Sequence, residues 1–157
     1  MPAADMLVKL YEVQEDQALL DALKRDGITI RRAIPANMHD VTAFAREQFS
    51  EGWASEATAA MAHDGCFIAV KDHKIIGFAC IEAMKDYFGP TGVMESERGK
   101  RIGKALLLRS LVALRERGYA YAIIGYVGDA MKFYEKVVNA TAIPDSIPGH
   151  YGNHTMF

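Results

Sequence analysis

The stretch SERGKRIGKALLLRS, residues 96–110, sets Gly99 and Gly103 among Arg98, Lys100, Arg101 and Lys104, directly ahead of a leucine run that reads as a helix. Glycines at a helix entrance let backbone approach an anion closely. The first-turn N–H groups have no carbonyl partner within the helix and, with the helix dipole, favour negative charge there. The expected ligand therefore carries phosphate. A P-loop needs GxxxxGK followed by Ser or Thr, but here three residues separate the glycines and Ala105 follows Lys104, so no hydroxyl is placed for Mg²⁺. The GxGxxG spacing of dinucleotide-binding units is absent as well. Both spacings argue against an ATPase and against dinucleotide binding.

Outward from this loop, helical and strand patterns interleave, which predicts an α/β or α+β layer structure. KALLLRSLVALRERG is the strongest helix, with Leu107, Leu108, Leu111, Val112 and Leu114 apolar and Gly118 as its stop. YAYAIIGYV, nearly uncharged, then reads as a buried strand, followed by a helix in DAMKFYEKVV and a short strand in ATAI. Upstream, ITIRRA alternates with strand period, and Val41, Phe44, Ala45 and Phe49 recur at helical spacing. A short second helix is expected after Ser55, with Glu56 near its start and Gly65 at its end. CFIAVKD and KIIGFACIEA flank DHK as a hairpin. YFGPTGVM is a further strand whose Gly89, Pro90 and Gly92 weaken ordinary ladder pairing. Near the N-terminus, EDQALLDALKRDG is a helix with Leu19, Leu20 and Leu23 on one face, whereas MLVKLYEV suits strand or helix equally.

A chain of 157 residues, half of them hydrophobic and 24% charged, has the material for one globular core. Its formal net charge of −2 gives no bulk attraction to nucleic acid or to an anionic membrane. Cys66 and Cys80 lie in apolar runs without CxxC spacing, as buried thiols of a cytosolic protein would. The acidic N-terminus lacks the basic flank of a signal peptide, and no apolar run is long enough to cross a bilayer. A cytoplasmic protein is expected. His150 and His154 are four apart but have no third ligand in view, so no metal is expected.

In both motif and order of elements the chain resembles the GNAT (GCN5-related) N-acetyltransferases. The family pattern, roughly V-x-P-x-x-[QR]-x-x-G-x-[GA] after a strand, is met by Val93, Arg98 and Gly103, with Glu95 in place of the proline and Arg101 in place of the middle glycine. KFYEKVVNA resembles the family's FYEKLGF element. The likeness runs over about residues 28–143. It implies a mixed, mostly antiparallel central sheet flanked by helices, with its fourth and fifth strands splayed. Residues 28–157 would form the acetyltransferase domain, and 1–27 an N-terminal extension packed on it.

By the same likeness acetyl-CoA would be the co-substrate. Its pantetheine arm would pair with Thr91, Gly92 and Val93, and its pyrophosphate would rest on the amides of Gly99, Lys100, Arg101, Ile102, Gly103 and Lys104, with Arg98 and the other bases beside them. Backbone N–H groups near Val93 and Met94 would stabilise the oxyanion, and Tyr134 would protonate the departing CoA thiolate. The acceptor would be a small-molecule or peptide amine. The glutamate that some members carry on the fifth strand is Ala122 here, and the asparagine common seven residues before the tyrosine is Val127, which leaves Glu51 and Glu82 as the carboxylates to test as base. Trp53 either lines the acceptor pocket or caps the core. An acetyl-CoA sensor without turnover is the alternative reading, a macromolecular modifier is disfavoured by the near-neutral charge, and a homodimer stays open.

Overall fold

Asp72 and His73 both adopt positive φ (51° and 63°) in the two-residue connection between strands β3 (Cys66–Lys71) and β4 (Lys74–Ile81). That backbone matches the twist of a tight hairpin, and Asp and His are among the residue types that tolerate it. The computed structural model describes residues 2–155. The hairpin belongs to a seven-stranded sheet of order β2-β3-β4-β5-β6-β1-β7. The other strands are β1 (Ala4–Lys9), β2 (Ile28–Arg32), β5 (Tyr87–Val93), β6 (Tyr121–Val127) and β7 (Thr141–Ala142). All neighbours run antiparallel except β5 and β6. A parallel pair needs a long crossover, and α4 (Ile102–Glu116) supplies it. The mixed, mostly antiparallel sheet flanked by helices is the fold expected from the sequence.

Two apolar clusters cover the two faces of the sheet. The larger joins α1 (Gln17–Arg25), α4 and α5 (Met131–Val138) to Met6, Val8, Ala79 and Ile81. The smaller joins α2 (Met38–Gln48) and α3 (Glu51–Met61) to Cys66, Ile68, Phe78 and Cys80. Cys80 beside Ala79 and Ile81 shows the period-two alternation of a strand buried on both sides. Both cysteines are buried, free thiols, and burial pushes the Cys80 thiol up.

The ambiguous N-terminal segment is a strand. Met6 and Val8, two apart and fully buried, place β1 inside the sheet, between β6 and β7, before a single 3₁₀ turn at Leu10–Glu12. Asp16 then caps α1, accepting the Leu19 N–H at 3.0 Å. The helix expected after Ser55 starts earlier. Ser50 is its cap, with Oγ accepting the Trp53 N–H at 3.1 Å, and Gly52 is tolerated in the first turn. Among the described residues no helix is long and apolar enough to cross a membrane.

Gly65 fixes how closely α3 meets this sheet. Its carbonyl accepts the Ile81 N–H at 2.7 Å, and a Cβ built on it would lie 2.1 Å from the Ile81 carbonyl oxygen. The obstacle is backbone, so no side chain can turn aside. Gly65→Ala is expected to lower stability by about 3 kcal/mol, read as a fall in the urea midpoint with an unchanged slope.

Candidate active site

β5 and β6 pair at Tyr87↔Ile123 and Phe88↔Ile124 and diverge beyond. Gly89, at φ 116°, and Pro90, which has no N–H to give a ladder, follow at once. On its other side β5 stays paired with β4. The Met94 N–H bonds the Ile76 carbonyl at 2.8 Å, and Gly92 stands in the equivalent position opposite Phe78. Ladder alternation then turns the backbone groups of Thr91 and Val93 towards the gap. Arg98 caps the end of this edge, its Nε donating to the Val93 carbonyl at 3.0 Å. Gly92 has a packing reason as well, since a Cβ there would stand 2.2 Å from Phe49 Cζ.

The loop after β5 presents the start of α4 to the same gap. The Ala105 N–H reaches the Arg101 carbonyl at 3.2 Å, whereas the N–H groups of Gly99, Lys100, Arg101, Ile102, Gly103 and Lys104 have no protein acceptor among the described residues. Gly99 is at φ 85°, and Arg101 takes φ 67° where a glycine would carry no penalty, a strain of about 1 kcal/mol. A Cβ on Gly103 would meet only Val93 Cγ2, at 4.0 Å, so the backbone there lies open. Two carboxylates hold the surrounding bases. Glu97, buried in the loop, pairs with Lys100 and with Lys71 at 3.3 Å, and the Lys100 hydrogen bond above all keeps its carboxyl below the usual range. Asp16 lies 3.5 Å from Lys104 Nζ. The resulting cleft, about 730 Å³, is lined by Thr91, Gly92, Val93, Arg98, Gly99, Arg101, Ile102, Gly103, Lys104 and Tyr134.

One residue expected in this cleft, Met94, is turned elsewhere. Met94 has given its N–H to Ile76, and its side chain lines a groove with Phe44 and Ile75 on the opposite face, so it is no oxyanion donor. The Lys100 ammonium is held by Glu97, so the group expected to meet the anion, its main-chain N–H, is the one without a protein acceptor among the described residues.

Tyr134 stands where the cleft narrows. It is 6% exposed, meets the Phe88 ring edge-on at 6.3 Å between centroids, and is pushed by burial up to about 12. It also lines a throat of about 250 Å³ that runs between β5 and β6, past Pro90 and Gly125. The throat shares Trp53, Phe88, Gly89 and Tyr126 with a pocket of about 420 Å³ on the far side, where Glu56, Met84, Tyr87 and Tyr151 complete the wall. Burial pushes the Glu56 carboxyl up, against a Tyr151 hydroxyl that donates to it at 3.4 Å and against nearby His150.

Both ends of the chain build this pocket. The Asp5 carboxylate accepts the Tyr126 N–H at 2.8 Å, where Tyr126 adopts φ 51°, and the Asp5 N–H donates to Ser146 Oγ at 2.8 Å. The Tyr87 hydroxyl and His150 Nδ1, 3.1 Å apart, tie the tail to β5.

Neither carboxylate singled out as base reaches the pocket. Glu51 is 75% exposed and pairs with Arg46 Nε at 2.8 Å. Glu82 accepts the Asp86 N–H at 2.7 Å and the Tyr119 hydroxyl at 3.3 Å, with Arg117 at 3.7 Å. Glu56 is the carboxylate that the sequence reading passed over. Its signal was the three-residue spacing from Trp53, which shares a helix face only once α3 begins at Glu51. Ala122 and Val127 are buried core residues. Among the described residues no three His, Cys, Asp or Glu side chains gather as a metal site.

The family model described as Acetyltransferase (GNAT) family matches residues 36–139. Comparison with curated protein sequences finds no match. Among solved structures, the chain is similar to the GCN5-related glucosamine N-acetyltransferase region of a fungal multi-domain GH3 β-N-acetylglucosaminidase, with TM-score 0.73 and 17% identity over 90% of this chain and 20% of that one. It is similar to a GCN5-related N-acetyltransferase from Sphaerobacter thermophilus, with TM-score 0.64 and 19% identity over 91% of this chain and 50% of that one. A GNAT acetyltransferase from Brucella melitensis, solved in complex with acetyl-CoA, gives TM-score 0.51 and 22% identity over 68% of this chain and 80% of that one. The chain thus spans a fifth and a half of the length of the first two. Those likenesses show the fold, and the family match extends over more than half of the sequence. The chain belongs to the GNAT family of acetyltransferases.

Proposed function

We propose that this chain transfers an acetyl group from acetyl-CoA to a primary amine. One observation carries the reading: the gap between β5 and β6 has unpartnered amides and bases at one mouth and a half-buried carboxylate at the other, with Tyr134 between them. Acetyl-CoA fits the first mouth chemically. The six N–H groups of residues 99–104, with Arg98, Arg101 and Lys104 beside them, suit a diphosphate. Thr91 and Val93 offer ladder groups to the amides of an extended pantetheine arm, as an added strand would use them.

In this pose the acetyl thioester carbonyl would reach the throat. Thr91 is the open β5 ladder residue that lines the throat, so its N–H serves as oxyanion donor, in place of the Val93 and Met94 amides expected from the sequence. Glu56, directly or through a water, takes the proton that the attacking nitrogen sheds as the C–N bond forms and the C–S bond breaks. Tyr134 gives its proton to the leaving sulfur and regains one from the Glu56 side through solvent. A phenol is protonated at neutral pH; burial raises that of Tyr134 to about 12 and weakens it as an acid, while a thiolate emerging in the same narrow throat is itself made more basic by desolvation and can take the proton.

Tyr134→Phe is expected to lower kcat about 100-fold while calorimetry shows unaltered acetyl-CoA affinity; an unaltered kcat would remove the acid role. Gly103→Trp should abolish acetyl-CoA binding by filling the open backbone, and binding that persists would move the diphosphate elsewhere. The kcat profile at saturating amine tests Glu56. Because burial raises its carboxyl, activity should fall on acidification at a pH above the ordinary carboxylate range, and Glu56→Gln should erase that limb.

A further inference from the structure

The acceptor pocket has a one-sided charge inventory. Among the described residues lining the pocket, Glu56 is the charged one; in the throat it is Asp129, and neither lining includes a Lys or Arg. Apart from Ser50 and the glycine backbone, the side chains of the pocket wall are apolar or aromatic. Trp53 stacks at 4.6 Å between centroids on Phe49, which continues into Phe44 and Phe78. Across the cavity stand Tyr87, Tyr126 and Tyr151, with Tyr126 and Tyr151 edge-to-face at 6.2 Å. Met84 and Pro90 add apolar surface.

From this lining we infer that the acceptor is a compact primary amine on an aromatic or otherwise apolar body, with no anionic group and no second cation; the inference rests on the transferase reading above. One ammonium is matched by one carboxylate, and the faces of Trp53 and the tyrosines add attraction for a cation. A carboxylate on the same molecule, as in a free amino acid, would enter a space lined by Glu56 and by no Lys or Arg, with the one nearby imidazole, His150, set behind Tyr151 and tied to the Tyr87 hydroxyl, and an unpaired charge in a partly buried site is strongly disfavoured. A second ammonium, as in a polyamine, would lie against aromatic wall, because the other carboxylate, Asp129, lines the throat that the thioester occupies in this pose. An apolar body instead gains by leaving water, and a cavity of about 420 Å³ is of the size that holds a small molecule.

The test measures thiol release from acetyl-CoA with 2-phenylethylamine, phenylalanine and spermidine as acceptors, beside calorimetric titration of the same protein with acetyl-CoA. The expected result is a kcat/KM for 2-phenylethylamine at least tenfold above both others. In Glu56→Gln its KM should rise at least tenfold with acetyl-CoA affinity unaltered. Acetyl-CoA binding with equal or better turnover of phenylalanine or spermidine, or with no turnover of 2-phenylethylamine, would overturn the acceptor class while leaving the donor site standing. An unmoved KM in Glu56→Gln would overturn the ion-pair basis of the choice. Absence of acetyl-CoA binding would instead overturn the transferase reading on which the acceptor class depends.

Discussion

The rest of the structure depends on a parallel ladder that stops after two residue pairs. β5 and β6 are joined at Tyr87 and Phe88; Pro90 has no N–H to offer, and an extra residue between Phe88 and Thr91, which stand opposite Ile81 and Ala79, turns the ladder groups of Thr91 and Val93 to the same edge. Had the pairing continued, the backbone groups of Thr91 and Val93 would have found partners on β6, and the space between the strands would have closed. Because it stops, a sheet buried on both faces acquires an opening through its middle. The strand still cannot drift, because its other edge is held by β4 through Phe78 and Ile76, and Phe49 packs directly on Gly92.

The same interruption explains why α4 begins where it does. The crossover helix must start beside the open edge, and Gly99 and Arg101, both in left-handed backbone, swing the chain so that the first-turn amides face the gap. Arg101 bears strain there that glycine would not, and the loop compensates with ion pairs. Glu97 gathers Lys71 and Lys100 under it, and Asp16, from the N-terminal segment, meets Lys104. These carboxylates moderate a cluster of like charges whose mutual repulsion would otherwise oppose the turn.

Legibility in the sequence follows contiguity. The donor cleft is built from two runs of chain, residues 91–107 and the α5 stretch 130–137 around Tyr134, and glycine spacing, a leucine-rich helix and the FYEK element betray them. The strand alternation of β2 through β4 and the helical period of α2 and α4 were readable for the same local reason. The acceptor pocket is assembled from α3, the start of β5, the bend at Tyr126 and the tail at Tyr151, with Asp5 of β1 holding the bend. No window of sequence contains those contacts. Placing the start of α3 at Ser55 instead of Ser50 was enough to hide Glu56, because its face is defined only relative to Trp53. Met94 shows a subtler limit. Its position beside Val93 is plain in the sequence, but the direction of its N–H follows from which edge of β5 is paired.

The net charge of −2 conceals a division across the gap. Arg98, Arg101 and Lys104 line the donor cleft, whereas the throat and the pocket present Asp129 and Glu56 and no base among the described residues. Opposite signs on the two sides of one narrow passage would draw an anionic donor and a cationic acceptor from opposite faces of the sheet, so that each is repelled from the other's entrance. Tyr134 lies near neither set of charges closely enough for them to shift it, and burial alone raises its hydroxyl. A phenol is protonated at neutral pH even at its ordinary value, so what burial adds is a weaker acid whose proton leaves only to a strongly basic partner such as a thiolate emerging beside it.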